Sequence, residues 1–198
     1  VLFCFLSVSI LGQAQSLTAN QLLEKSIAYH DPEGKWNSLE ASFLVVMETP
    51  KRPKRTTTIQ LNFPAEYFKS TVTIDGITTA SAIEKGNCIH WYEGSTTFTE
   101  EAAAKHRLNC ERTTKMRDYY VYLYGLPMKL KDPGTQLEDK VYTKSLNGES
   151  FLCLKVTYDA AVGKDSWYFY FDKKTYAMRH YQFYHDESKN DGEYILLS

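Results

Sequence analysis

The sequence predicts a mainly β protein of the α+β class, an antiparallel meander of about eleven strands with an N-terminal helix and one inserted helix. Three observations carry this expectation. Apolar residues recur with a period of two over most of the chain, and hairpin dipeptides, Asp75-Gly76 and Asn147-Gly148, separate alternating segments. The strand–helix–strand alternation of a parallel sheet is missing. The composition is that of a globular chain, with 43% hydrophobic and 14% aromatic residues over 198 positions, so residues 16–198 are expected to form a single domain. A formal net charge of −1 offers no field to gather phosphate backbones, and no nucleic-acid partner is expected.

Val1 to Leu11 is uncharged and mostly apolar, and it runs into the small and polar stretch Gly12-Gln13-Ala14-Gln15-Ser16. That is the apolar core and cleavage region of a secretory signal, which assigns residues 1–15 to a cleaved signal and the mature protein to the periplasm or the exterior. The signal lacks its basic start and the chain opens on Val, so it is expected to be N-terminally incomplete. Glu193 to Ser198 reads as a strand without a polar tail, which implies truncation at that end too. Cys4 lies inside the apolar run rather than at its end, against a lipidated cysteine. Cys88, Cys110 and Cys153 have no metal-ligand spacing. They are expected to be small buried hydrophobes, although one pair could bridge in an oxidising compartment.

The first helix is predicted over Ser16 to Tyr29, because Thr18 and Gln21 have capping-box spacing and Leu22, Leu23 and Ile27 form one stripe. Asp31-Pro32-Glu33-Gly34 ends it. From Leu39 to Met47 the odd positions are apolar, and Thr57, Ile59, Leu61 and Phe63 repeat the pattern across a basic, proline-containing turn from Thr49 to Arg55. A second hairpin joins Phe68–Ile74 to Ile77–Glu84. Short strands follow at Cys88–Tyr92 and Ser95–Thr99. Met116, Tyr119, Tyr120, Leu123 and Tyr124 then recur at helical spacing, giving a helix over Glu111–Tyr124 stopped by Gly125-Leu126-Pro127. Lys140–Leu146 with Glu149–Tyr158, and Ser166–Asp172 with Tyr176–His185, are the later hairpins. In the strand at 166–172, Trp167, Phe169 and Phe171 point one way and Tyr168 and Tyr170 the other, so both faces require cover.

The common nucleophile, zinc, nucleotide and dinucleotide motifs are missing, so no cofactor, metal site or catalytic residue is expected. His180 and His185 differ by an odd number on one strand and face opposite sides. His30 next to Asp31 fits a cation at a helix C-terminus. The pairs Glu100-Glu101 and Asp186-Glu187 are solvated charges at turns. Lys51, Arg52, Lys54 and Arg55 form the basic cluster, read as a solubilising hairpin tip, or alternatively as a contact with an anionic membrane or an acidic partner. The twenty-eight aromatic residues are mostly sheet core, or in part the wall of an apolar cavity.

With the leader, the helix, Leu39-Glu-Ala-Ser-Phe43 and the segment Gly86 to Gly94 in place, the chain resembles the LolA/LolB-like lipoprotein-carrier superfamily. Those domains follow their first helix with an "x-S-F-x-A-x-F" type strand and carry a "D-G-x-x-x-W-x-Y" hairpin, approximated by Gly86 to Tyr92. The chain is more similar still to a family of secreted bacterial proteins of unknown function, in which His30-Asp31-Pro32 and Tyr124-Gly-Leu-Pro-Met128 recur. The resemblance implies a curved antiparallel half-barrel whose helices cover the concave face, a monomer that holds a lipid or the acyl chain of a lipoprotein, with transient membrane or envelope-protein contact. The carriers' cavity arginine is not locatable by motif. Aldolase activity, sometimes ascribed to the closer family, needs a (β/α)₈ barrel and a desolvated lysine, and the meander excludes it.

The expected function is therefore non-enzymatic binding of a hydrophobic ligand, with Phe43, Val45, Leu61, Trp91, Phe169 and Phe171 on the concave face. The rivals are a hydrolase-like site built from turn residues such as Asp75, His90 and Asp132, and an envelope-complex subunit pairing through sheet edges.

Overall fold

The computed structural model describes residues 17–197. They form two compact units, one spanning Ile27–Asp132 and the other built from the chain before and after it. All strand pairs are antiparallel, in one five-stranded and one six-stranded sheet, and neither sheet closes into a barrel. The mainly β, antiparallel expectation holds. The predicted leader lies outside the described residues. No described helix is long and apolar enough to cross a membrane.

Helix α1, Ala19–His30, starts at the expected capping box: the Thr18 amide donates to Gln21 Oε1 at 2.9 Å and the Gln21 amide to Thr18 Oγ1 at 3.2 Å. Ala19, Leu22, Leu23 and Ser26 are its buried positions. At its far end desolvation lowers the His30 pKa.

In the Ile27–Asp132 unit, β1 (Glu40–Thr49), β2 (Arg52–Asn62), β3 (Tyr67–Ile74), β4 (Ile77–Glu84) and β5 (Asn87–Tyr92) follow chain order. Asp75 and Gly76 both have positive φ, 50° and 80°, as the tight β3–β4 turn requires. The turn after β1 is shorter than expected, because β2 begins at Arg52. Pro53 is tolerated there because β3 pairs with β2 only from Arg55 onward, so no ladder hydrogen bond is forfeited on that side.

The predicted strand at Ser95–Thr99 does not form. Ser95 makes one bridge to Tyr92, and Thr99 instead caps α2 (Glu100–His106), its Oγ1 accepting from the Ala102 amide at 3.1 Å. Acidic Glu100 and Glu101 in the first turn and basic Lys105 and His106 in the last suit the helix dipole. Arg107, at φ 55°, ends α2, and Asn109 caps α3 (Cys110–Tyr124). Gly125 follows because a β-carbon there would collide with the Trp36 ring and the Val121 carbonyl.

The second sheet runs β11-β10-β9-β8-β6, with β7 also pairing β8. Its strands are β6 (Thr135–Leu137), β7 (Tyr142–Leu146), β8 (Glu149–Tyr158), β9 (Ser166–Phe171), β10 (Met178–Tyr184) and β11 (Glu193–Leu196). Strand β6 was not expected; at three residues it is too short to show a period. The two-faced reading of β9 holds. Trp167 stacks on Phe169 and Phe183 on one side, and Tyr170 packs with Phe151 and Cys153 on the other. His180 is buried in β10, whereas exposed His185 lies just past the end of that strand, which is one residue shorter there than expected.

Candidate functional site

Register defines one face of the five-stranded sheet, apolar over β1 and β2 and in part polar over β3 to β5. Phe43 pairs with Ile59, Ile59 with Ser70, Ser70 with Ser81 and Ser81 with His90, so these five residues share one face. Ala41, Leu61, Phe68, Ile83 and Cys88 form the next row. Ile59, Leu61 and Phe68 are at most 2% exposed and pack with Tyr120 of α3, with Phe43, Val45, Met116 and Val121 around them. One helix thus covers the middle of a five-stranded face.

Two of the clefts on this unit adjoin α3. Toward the far end of α3, a cavity of about 340 Å³ is lined by Trp36, Leu39, Phe43, Leu61, Tyr124 and Met128. The Phe43 and Tyr124 rings lie 4.6 Å apart between centroids. Toward the start of α3, a second cavity of about 260 Å³ has Val72, Leu108, Met116 and Tyr120 as apolar wall and the Ser70, Thr79 and Ser81 positions as floor.

This second cavity is basic. Arg55, Lys105, Arg107 and Arg112 line it, and no acidic side chain does. Arg55 belongs to the basic cluster assigned from sequence to a solvated hairpin tip. The structure divides that cluster: Lys51 and Arg52 are exposed, Lys54 pairs with Glu48 at 2.8 Å, and Arg55 is half-buried and lines the cavity. Its parity was legible, since Arg55 alternates in phase with inward Thr57, Ile59 and Leu61. Its Nε is buried with no hydrogen-bond partner among the described residues.

Cys88 and Cys110 form a disulfide, so the expectation of unpaired buried thiols is corrected for these two and holds for Cys153, which is free and fully buried. Spacing could not reveal the bond, because it depends on α3 lying over β5. It joins β5 to the first residue of α3, on the helix that roofs the basic cavity. His90 stands beside it, with Nδ1 3.1 Å from Ser81 Oγ and Nε2 3.9 Å from Cys110 Sγ; burial lowers its pKa.

Of the six residues expected to line a binding face, Phe43, Val45 and Leu61 are brought together, and Phe43 and Leu61 line the 340 Å³ cavity. Trp91 pairs with Ala80 and faces the other side of that sheet, where Lys69 Nζ sits 4.8 Å from its ring. Phe169 and Phe171 belong to the other unit and are fully buried. Among the rival site residues, Asp75 is in the β3–β4 turn, His90 is mid-β5 and Asp132 pairs with Lys129; no hydrogen bond links the three. No group of three or more His, Cys, Asp or Glu among the described residues could hold a metal.

No curated protein and no solved structure matches the chain. Residues 1–197 match a family of unknown function, DUF6503, and the chain belongs to that family.

Proposed function

We propose that the protein is a non-enzymatic carrier or binding protein for a hydrophobic ligand, working in the periplasm or outside the cell, with the Ile27–Asp132 unit as its container. The observation that carries this reading is the incompletely filled face of the five-stranded sheet, where α3 leaves cavities of about 260 and 340 Å³ against apolar side chains. Ligand pockets begin at about 300 Å³, which the cavity beside Tyr124 passes and the one beside Arg55 falls just short of, so neither suits more than a single chain. Transfer from water yields about 0.8 kcal/mol per buried CH₂, and ten methylenes reach about 8 kcal/mol, a micromolar affinity before association costs.

The likeness to lipoprotein carriers supports an acyl chain as ligand and a half-barrel as the functional shape. The Cys88–Cys110 disulfide supports export, because such bonds persist in oxidising compartments. The test is native mass spectrometry of protein extracted under mild conditions, followed by titration with a fluorescent fatty acid. A co-purified lipid or a saturable probe signal is the expected result. Protein that is lipid-free and leaves the probe unshifted contradicts the container.

A further inference from the structure

The 260 Å³ cavity is more basic than an apolar chain requires. Arg55 enters from β2, Arg112 from the first turns of α3, and Lys105 and Arg107 from the end of α2 and the link that follows. Arg55 and Arg112 make no ion pair among the described residues, and the nearby acid, Glu111, is held by Lys115 at 2.6 Å. Lys115 is the main cause of the lowered Glu111 pKa, with Arg107 a weaker one. Arg55 is half-buried, and its Nε, the part of the guanidinium that is out of water, donates no hydrogen bond within the described residues, which is costly unless an acceptor meets it. Buried Ser70 lies on the same face, and apolar Val72, Leu108 and Met116 continue the wall. A guanidinium fork suits the paired oxygens of a carboxylate or phosphate.

We propose that this cavity binds a single-chain amphiphile with an anionic head, its carboxylate or phosphate held by Arg55 and Arg112 and its alkyl chain laid against Val72, Leu108 and Met116. This rests on the container reading of the same site and adds the charge of the ligand. It also assigns Arg55 to binding rather than to solubility.

Calorimetric titration with laurate, lauroyl lysophosphatidate, dodecanol and inorganic phosphate, on the native protein and on Arg55→Gln, Arg112→Gln and Arg55→Lys, tests it. At least one anionic amphiphile should bind about tenfold or more tighter than dodecanol, and the better of the two identifies the head group. Arg55→Gln or Arg112→Gln should erase that advantage by weakening the anionic ligand about tenfold more than dodecanol, and Arg55→Lys should keep part of it. Should Arg55→Gln fail to fold, Arg112→Gln on half-exposed α3 carries the comparison. Equal binding of laurate, lysophosphatidate and dodecanol overturns the anionic head and leaves the container standing. Binding of none of the three overturns both. Phosphate alone binding as tightly as lysophosphatidate, with laurate no tighter than dodecanol, overturns the amphiphile, and the container falls with it only if dodecanol also fails to bind.

Discussion

Replacing Cys88 and Cys110 together by alanine removes the covalent tie between β5 and the start of α3 without touching the rest of the apolar face. The bond spans a sequence separation of 22 residues. Loop-closure entropy for a ring of that size corresponds to about 3.4 kcal/mol of stabilisation at room temperature, inside the 2–5 kcal/mol lost on removing native disulfides. With a urea slope of about 2 kcal/mol/M, the unfolding midpoint should fall by about 1.7 M. The measurement is urea unfolding followed by tryptophan fluorescence, on native protein, native protein with reductant, and the double variant. The reduced protein and the variant should superimpose. Thiol titration in denaturant without reductant should find Cys153 reactive and Cys88 and Cys110 not. A midpoint indifferent to reductant, or Cys88 and Cys110 titrating as thiols, would refute the bond and with it the placement of α3 over β5.

Phe68→Ala should cost about 3–5 kcal/mol, because the ring is 1% exposed and packs against Ile59, Leu61 and Tyr120; a loss below about 1 kcal/mol in the same urea assay contradicts that packing. Burial raises the Cys153 thiol to about 12, so iodoacetamide at pH 8 should leave it unlabelled in folded protein and label it once unfolded. The hydrogen bond from His185 Nδ1 to Asp165 at 2.9 Å raises the pKa of this exposed ring above its unfolded value of about 6.5. Its small contribution to stability is therefore complete below that unfolded value and is lost as pH rises through the folded one. Proton NMR titration should show the raised pKa in the native protein and an ordinary one in Asp165→Asn; identical titrations in both would disprove the pairing.

The hairpins were legible because their turns are local chemistry: Asn147-Gly148, like Asp75-Gly76, takes positive φ at both positions, 51° and 84°. Strand faces were legible wherever alternation was strict, as in β1, β2 and β9. What escaped depends on tertiary context. Helix α2 is short, and the three residues that separate it from α3 begin with Arg107 in a left-handed conformation that no spacing rule assigns to arginine. Strand β6 exists because β8 offers it an edge next to β7. At the candidate site, Phe43, Val45 and Leu61 could be grouped by parity within one hairpin. Trp91 could not, because its face depends on the register of β5 against β4. Arg55 was misread with its neighbours because a run of charge looks uniform in sequence. The pleat divides it, turning Lys54 outward to Glu48 and Arg55 inward.

The central claim is that the face of the five-stranded sheet under α3 shelters an alkyl chain. A fatty acid carrying a diazirine near its chain end, photolysed with the folded protein and mapped by peptide mass spectrometry, tests it most directly. Adducts should fall on β3 and on α3, around Val72 and Met116, and should disappear when excess unlabelled laurate competes. Labelling confined to other segments, or labelling that laurate does not reduce, would contradict it.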